Sequence, residues 1–243
     1  MVTPIVWDGP PGDADVYLVR TPWDWYMRPE AFDAFLGTLP AARTFNAPPL
    51  MRACLGKAYL FDLEAAGVAI VPTEEVRGDG AAVARAIERR GWGAAVVKPE
   101  RSANAHRTIR VDAGRPLSLG RDRWLVQPFV DEIADGELSF VFFDGVYSHA
   151  VCKRPRTDDF RVQVEHGGSA EAADPAARLV ADAGRALGAL GTTPLYARVD
   201  GVVVGGQLRV MELEVVEPEL FFNFCAGAGD RLADALLGRV ASG

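Results

Sequence analysis

Cysteine and histidine are scarce in this chain of 243 residues, with three of each. Cys54, Cys152 and Cys225 are far apart, odd in number and never in a Cys-x-x-Cys pair. That excludes a disulfide framework and a structural zinc site, and it leaves them as small buried residues of a reducing compartment. Long hydrophobic runs are absent too, since no stretch approaches the roughly eighteen apolar residues of a membrane helix. No basic segment followed by an apolar run opens the chain, so a cytoplasmic setting with no membrane partner is expected. Positive charge is short: 26 Lys and Arg face 33 Asp and Glu, a net charge of −7. Without a basic footprint, nucleic-acid binding is not expected, and an anionic ligand must be held by local lysines and arginines. No convincing Ser-His or Cys-His arrangement offers a covalent nucleophile, which favours chemistry by positioning and charge neutralisation.

What is present is a hydrophobic content of 49%, enough for a substantial core. Short apolar strands alternate with helical stretches, which predicts an α+β fold with antiparallel sheets and helices packed on them. Strands are expected at 4–7, 16–20, 68–71, 94–97, 123–130 and 160–165, and as a hairpin of 137–143 with 146–152 around Asp144-Gly145. Helices are expected at 29–39, 48–66, 80–90, from about 174 to 190, and 230–240. In the helix after Asp174, Pro175 suits the first helical position.

Acidic residues form the sharpest local pattern. Glu212 and Glu214, in Met211-Glu-Leu-Glu-Val215, are two apart on a strand and project to one face. Asp200 precedes them across a Gly205-Gly206 turn. Three carboxylates so placed suit a hard cation such as magnesium, which prefers oxygen ligands and keeps substrate phosphates in its shell. The alternative is a solvated edge hairpin. Register separates the two. In a regular two-residue turn Val204 opposes Gln207, Asp200 opposes Met211, and the acids fall on opposite faces. An odd loop or a bulge brings all three together.

Upstream, in order, stand Lys57 in a helix, Lys98 ending an apolar strand, Trp124-Leu-Val-Gln-Pro-Phe-Val130 followed by Asp135-Gly-Glu137, and Lys153 ending a hairpin strand. Then come Phe160-Arg-Val-Gln-Val-Glu-His-Gly-Gly168 and Glu212-Leu-Glu-Val-Val-Glu-Pro218. The series resembles the ATP-grasp ligases over residues 16–243, near glutathione synthetase and the ribosomal-protein glutamate ligases, and also resembles the O-ureidoserine cyclo-ligases of cycloserine biosynthesis. The resemblance implies an ATP-grasp fold of two lobes with the nucleotide between them. A shortened N-terminal α/β segment would occupy 1–48 and the ATP-grasp domain 49–243, with a small lobe near 68–128 and a large lobe near 129–243.

It also implies ATP and two magnesium ions as cofactors. Asp200, Glu212 and Glu214 would be the metal ligands, and Lys57, Lys98 and Lys153 would face phosphates. Gln127, Pro128, Phe129 and Val130 would line adenine, and Glu137 would accept from the ribose hydroxyls. Arg161 would steady the transferring phosphoryl group, with Arg161 and Lys153 as catalytic residues and Arg161, Gln163 and Arg198 near substrate. The activity implied is ATP-dependent carboxylate–amine ligation through an acyl phosphate, releasing ADP and phosphate, on a small amino-acid-like substrate. Intramolecular cyclisation and intermolecular ligation both fit, and a homodimer is compatible. Two features depart from the family pattern. The loop Arg101-Ser-Ala-Asn-Ala-His-Arg107 lacks glycine, and only 56 residues precede Lys57, where the family has about twice as many. They favour an alternative, a nucleotide-binding module without ligase activity, against which the acids and Arg161 weigh. The aromatic run Arg20-Thr-Pro-Trp-Asp-Trp-Tyr26 reads as core packing ahead of substrate contact, and His106 as an exposed loop residue.

Overall fold

The structure is a computed structural model and describes residues 2–157 and 159–242. Aromatic and aliphatic residues of the first 55 positions gather into one cluster, with Trp7, Trp25, Phe32, Leu36 and Met51 buried together. Strand β1 (Tyr17–Leu18) and strand β2 (Thr44–Phe45) pair in parallel around helix α1 (Pro29–Thr38). Phe32 and Leu36, one helical turn apart, face the cluster. The expected strand at 4–7 does not form, because the Trp7 side chain turns into the cluster and its indole donates to Asp24 at 2.8 Å.

The helix expected over 48–66 is broken into α2 (Pro48–Ala53) and α3 (Tyr59–Ala65). At the break a Cβ on Gly56 would lie 1.9 Å from Glu100 Oε1, so any larger residue there would displace the buried Glu100 side chain. Lys57, expected in a helix, sits in this turn, and its N–H donates to Glu100 O at 3.0 Å.

Next comes an antiparallel sheet of four strands in the order β3 (Glu74–Gly78), β6 (Asp122–Pro128), β4 (Ala94–Pro99), β5 (Ile109–Asp112). Helix α4 (Gly80–Arg90) is capped by Asp79, which accepts from the N–H groups of Ala81 and Ala82, and it buries Val83, Ala86 and Ile87. The two outer strands were not expected: in β3 only Val76 is buried, and in β5 only Val111, too little alternation to read. The segment 68–71, expected as a strand, makes only the bridge Ile70–Val210.

The second sheet has five antiparallel strands in the order β11 (Gln207–Glu214), β10 (Tyr196–Val204), β7 (Glu137–Phe143), β8 (Val146–Arg154), β9 (Ser169–Ala173). Helix α5 (Ala177–Gly188) packs on it, starting two residues after Pro175 rather than at it, and helix α6 (Ala228–Ser242) ends the described chain. The strand expected at 160–165 is not one. Asp159 Oδ1 accepts from the backbone N–H of Phe160 and Arg161, taking the donors a ladder needs, and Gly167 at φ +84 turns the chain into β9. Among the described residues no helix is long and apolar enough to cross a membrane.

Candidate active site

The acidic hairpin is closed by a two-residue turn, with Val204 opposite Gln207 and both Gly205 and Gly206 at positive φ. Left regular, that turn would separate the acids. The register shifts between Asp200 and Gly201, so that Gly201 opposes Val210 while Asp200 opposes Glu212, and Met211 is the extra residue of a bulge. A side chain at Gly201 would place its Cβ 2.5 Å from Arg209 O, so glycine is what lets the strands approach there. One inserted residue reverses parity, and Asp200, Glu212 and Glu214 share a face with ligand oxygens within 4.8 Å of one another.

Cations surround the triad. Arg198 grips Asp200 through Nε at 2.9 Å and Nη2 at 2.9 Å, and its Nη2 also reaches Glu214 at 2.6 Å. Lys98 Nζ lies 3.0 Å and Lys57 Nζ 3.9 Å from Glu212 Oε1. Lys153 bridges Glu137 at 2.5 Å and Asp200 at 3.7 Å. Ser139, opposite Asp200 on β7, donates its hydroxyl to Asp200 Oδ1 at 2.6 Å.

The electrostatics follow from these contacts. Burial disfavours the Asp200 anion, but Arg198 and Lys153 outweigh it and hold the carboxyl below its ordinary value. Burial opposes the Glu212 anion as well, yet Lys98 and Lys57 bring it down to about 2. Glu214 goes the other way: burial, with Asp200 and Glu212 adding to it, pushes it up to about 7 despite Arg198. Burial lowers Lys57, and its neighbour Lys98 lowers it further. Three clustered hard oxygens of this kind fit magnesium in donor type, and the cations now on them offset the same negative charge.

All residues assigned above to nucleotide, metal and substrate line one cleft of about 250 Å³ between the two sheets and the N-terminal elements. Their side chains are not all free. Gln127 Nε2 donates to Thr73 Oγ1 at 2.9 Å, and the Phe129 N–H donates to Ala94 O at 2.9 Å. An apolar wall beside them joins Val71, Ile133, Val162 and Val202 to Phe129, Val130 and Met211. Glu137 is tied to Lys153 directly across the β7–β8 pair. Arg161 pairs with Asp159 at 2.7 Å, and the Oε1 of Gln163 is buried with no partner among the described residues.

Several contributors escaped the sequence reading. Met211 carries no charge to mark it, yet the bulge places it on the cleft wall. Tyr59 accepts from the Leu213 N–H at 2.9 Å, and Asn46 donates to Tyr196 O and Val215 O while accepting from the Leu195 N–H. These fix the strand ends that carry the acids. Ser102, in the glycine-free loop, accepts from Lys57 through its carbonyl and hydroxyl.

No family model matches the chain. It is 32% identical over 252 residues to the cycloserine biosynthesis protein DcsG of Streptomyces lavendulae, covering 93% of this chain and 83% of that protein. The crystal structure of the D-cycloserine synthetase DcsG superposes with a TM-score of 0.82 at 30% identity, over 97% of this chain and 86% of that one. The ATP-grasp ligase PsnB, solved with its minimal precursor, Mg and ADP, gives a TM-score of 0.64 at 18% identity, over 88% and 69% of the two chains. D-alanine–D-alanine ligase from Bacillus anthracis gives 0.59 at 17% identity, over 78% and 68%. The last two likenesses speak to the fold. With DcsG, they place the chain in a class: it belongs to the ATP-grasp ligases. It is an ATP-dependent ligase.

Proposed function

We propose that the chain is a carboxylate–amine ligase that activates an amino acid as its acyl phosphate and closes it on itself, with an O-ureidoserine-like compound as substrate. The observation that supports phosphoryl transfer best is the meeting of Asp200, Glu212 and Glu214 with Lys98, Lys153 and Arg198 on one cleft floor. The substrate class rests on the likeness to DcsG over most of both chains.

In this reading adenine lies against the apolar wall of Val71, Phe129, Val130 and Met211, and the phosphates run towards Lys57, Lys98 and Lys153. Two magnesium ions held by Asp200, Glu212 and Glu214 would neutralise charge on the β- and γ-phosphates. Arg198 keeps Asp200 and Glu214 oriented. Arg161 exchanges Asp159 for the oxygens of the transferring group, where a guanidinium fork is worth most because charge is greatest there. Gln163, with its unpartnered oxygen, offers an acceptor to substrate. The substrate carboxylate attacks the γ-phosphoryl group, ADP leaves, and the substrate's own nitrogen displaces phosphate from the acyl carbon.

ADP release measured across amino acids and their ureido and hydroxamate derivatives tests this. Release that depends on the carboxylate, and is greatest with O-ureidoserine, is expected. Tight ATP binding with no turnover across the panel would instead establish a nucleotide-binding module.

A further inference from the structure

Beyond β11 the chain runs under the N-terminal cluster, and there Glu217 is held by residues of the N-terminal segment. Trp25 Nε1 donates to Glu217 Oε1 at 2.5 Å, Trp23 Nε1 to Glu217 O at 3.3 Å, and Arg20 Nη2 to the next carbonyl, Pro218 O, at 2.9 Å. Backbone and carboxylate are therefore fixed together, in one orientation, on the wall of the cleft that holds the acidic triad.

Arg198 and Arg20 act on the carboxylate only from beyond ion-pair distance, and among the described residues it has no close ion-pair partner. Among the described residues no lysine, arginine or histidine comes within 4.0 Å of it, and its Oε2 has no hydrogen-bond partner. Neither nearby guanidinium group is within ion-pair distance of it, although among the described residues Arg20 Nη1 is buried without a hydrogen-bond partner. Arg20 lies 4.7 Å from the ring centre of Tyr196 and bonds Pro218 O, while Arg198 is shared by Asp200, Glu214 and Glu219 O. Burial, with Glu214 adding to it, pushes the Glu217 carboxyl up to about 8, and Trp25, Arg198 and Arg20 offset this only in part, so a close neutralising partner is missing. A cationic ligand group would supply that partner.

Resting on the ligase reading above, we propose that Glu217, oriented by Trp25, receives the protonated α-amino group of the amino-acid substrate. An ammonium offers a charge-assisted donor to Oε2, whereas a neutral ureido group would leave the carboxylate charge uncompensated. Trp23, half exposed beside it and lining the cleft, presents an indole to the same cation. The substrate is thus placed with its ammonium at the N-terminal end of the cleft and its carboxylate towards Lys98 and Arg161. That makes a free amine a condition of binding.

The test is calorimetric binding of O-ureido-D-serine and its Nα-acetyl derivative to the full chain loaded with magnesium and a non-hydrolysable ATP analogue. Wild type should prefer the free amine by about 10- to 100-fold, the range of one charge-assisted hydrogen bond. Glu217→Gln, whose amide oxygen can still accept from Trp25, should erase that preference while nucleotide affinity stays within about twofold. Equal affinity of wild type for the two compounds, whether both bind or neither does, overturns the proposal without need of a variant, and so does an undiminished preference in Glu217→Gln. Failure of the ligase reading would show differently, as no carboxylate-dependent ADP release by the wild type.

Discussion

The two walls of the cleft are charged in opposite styles. The five-stranded sheet carries its cations and anions as self-contained sets, with Arg198 on Asp200 and Glu214, and Lys153 on Glu137 and Asp200. The four-stranded sheet contributes to the floor a single buried cation, Lys98, which reaches across to Glu212. Among the described residues that is the only ion pair joining the two sheets. One wall is thus preorganised by its own pairs, and the other is coupled to it through one contact that a nucleotide can take over. A buried charge left without its partner is costly, whereas a charge handed from one partner to another is not.

The largest expected effect comes from breaking the self-contained wall. Arg198→Met leaves buried Asp200 repelling a partly buried Glu214, and it should cost about 3–5 kcal/mol of stability in denaturant unfolding. Magnesium should restore a sizeable part of that loss. If the variant is as stable as wild type, or indifferent to the metal, the wall is not organised as described. A smaller effect is expected at the crossing contact. Lys98→Met should weaken ATP binding by about 10- to 100-fold while changing stability by less than about 1 kcal/mol, since Glu212 keeps Lys57 nearby and remains partly open to water. Loss of stability rivalling that of Arg198→Met would make Lys98 part of the fold rather than of the site.

The smallest effect is on pH dependence. Glu214 is raised to about 7 in the folded chain against an ordinary 4.5. Below 4.5 it is protonated in both folded and unfolded chains. Above that the unfolded chain ionises first, so the metal-free protein loses stability as pH rises towards 7. Magnesium needs the anion, so its affinity should climb across that window, by at most about tenfold per unit, and level off above it. Glu212, held near 2, contributes nothing to this slope. Calorimetric titration with magnesium from pH 5.5 to 8 measures it, and a flat profile would remove Glu214 from the ligand set.

Legibility in the sequence followed the same division. The acids on β11, Lys98 at the end of β4 and Lys153 at the end of β8 could be read because each is a charge at the end of, or alternating along, an apolar strand. Strand parity required a defect in the acidic hairpin and allowed two kinds. The Gly205-Gly206 pair could not choose between them, because what selects the bulge is Gly201 under the Arg209 carbonyl, a contact made only after pairing. The strands β3, β5 and β9 lie on or near sheet edges, where one inward residue or none replaces a pattern. Ser139, Asn46 and Glu217 gave no signal, since each is defined by a partner 61 to 192 residues away in the chain. Trp25, read as packing, does pack, and it also orients Glu217.

The central claim is that the substrate carboxylate attacks the γ-phosphoryl group to make an acyl phosphate. It is tested most directly with O-ureidoserine labelled with ¹⁸O in the carboxylate and ATP of natural abundance, by mass spectrometry of the inorganic phosphate released. The account predicts that each phosphate formed in turnover carries one ¹⁸O from the substrate. Phosphate without label, formed at the same rate as ADP, would mean that water rather than the carboxylate takes the phosphoryl group, and would contradict it.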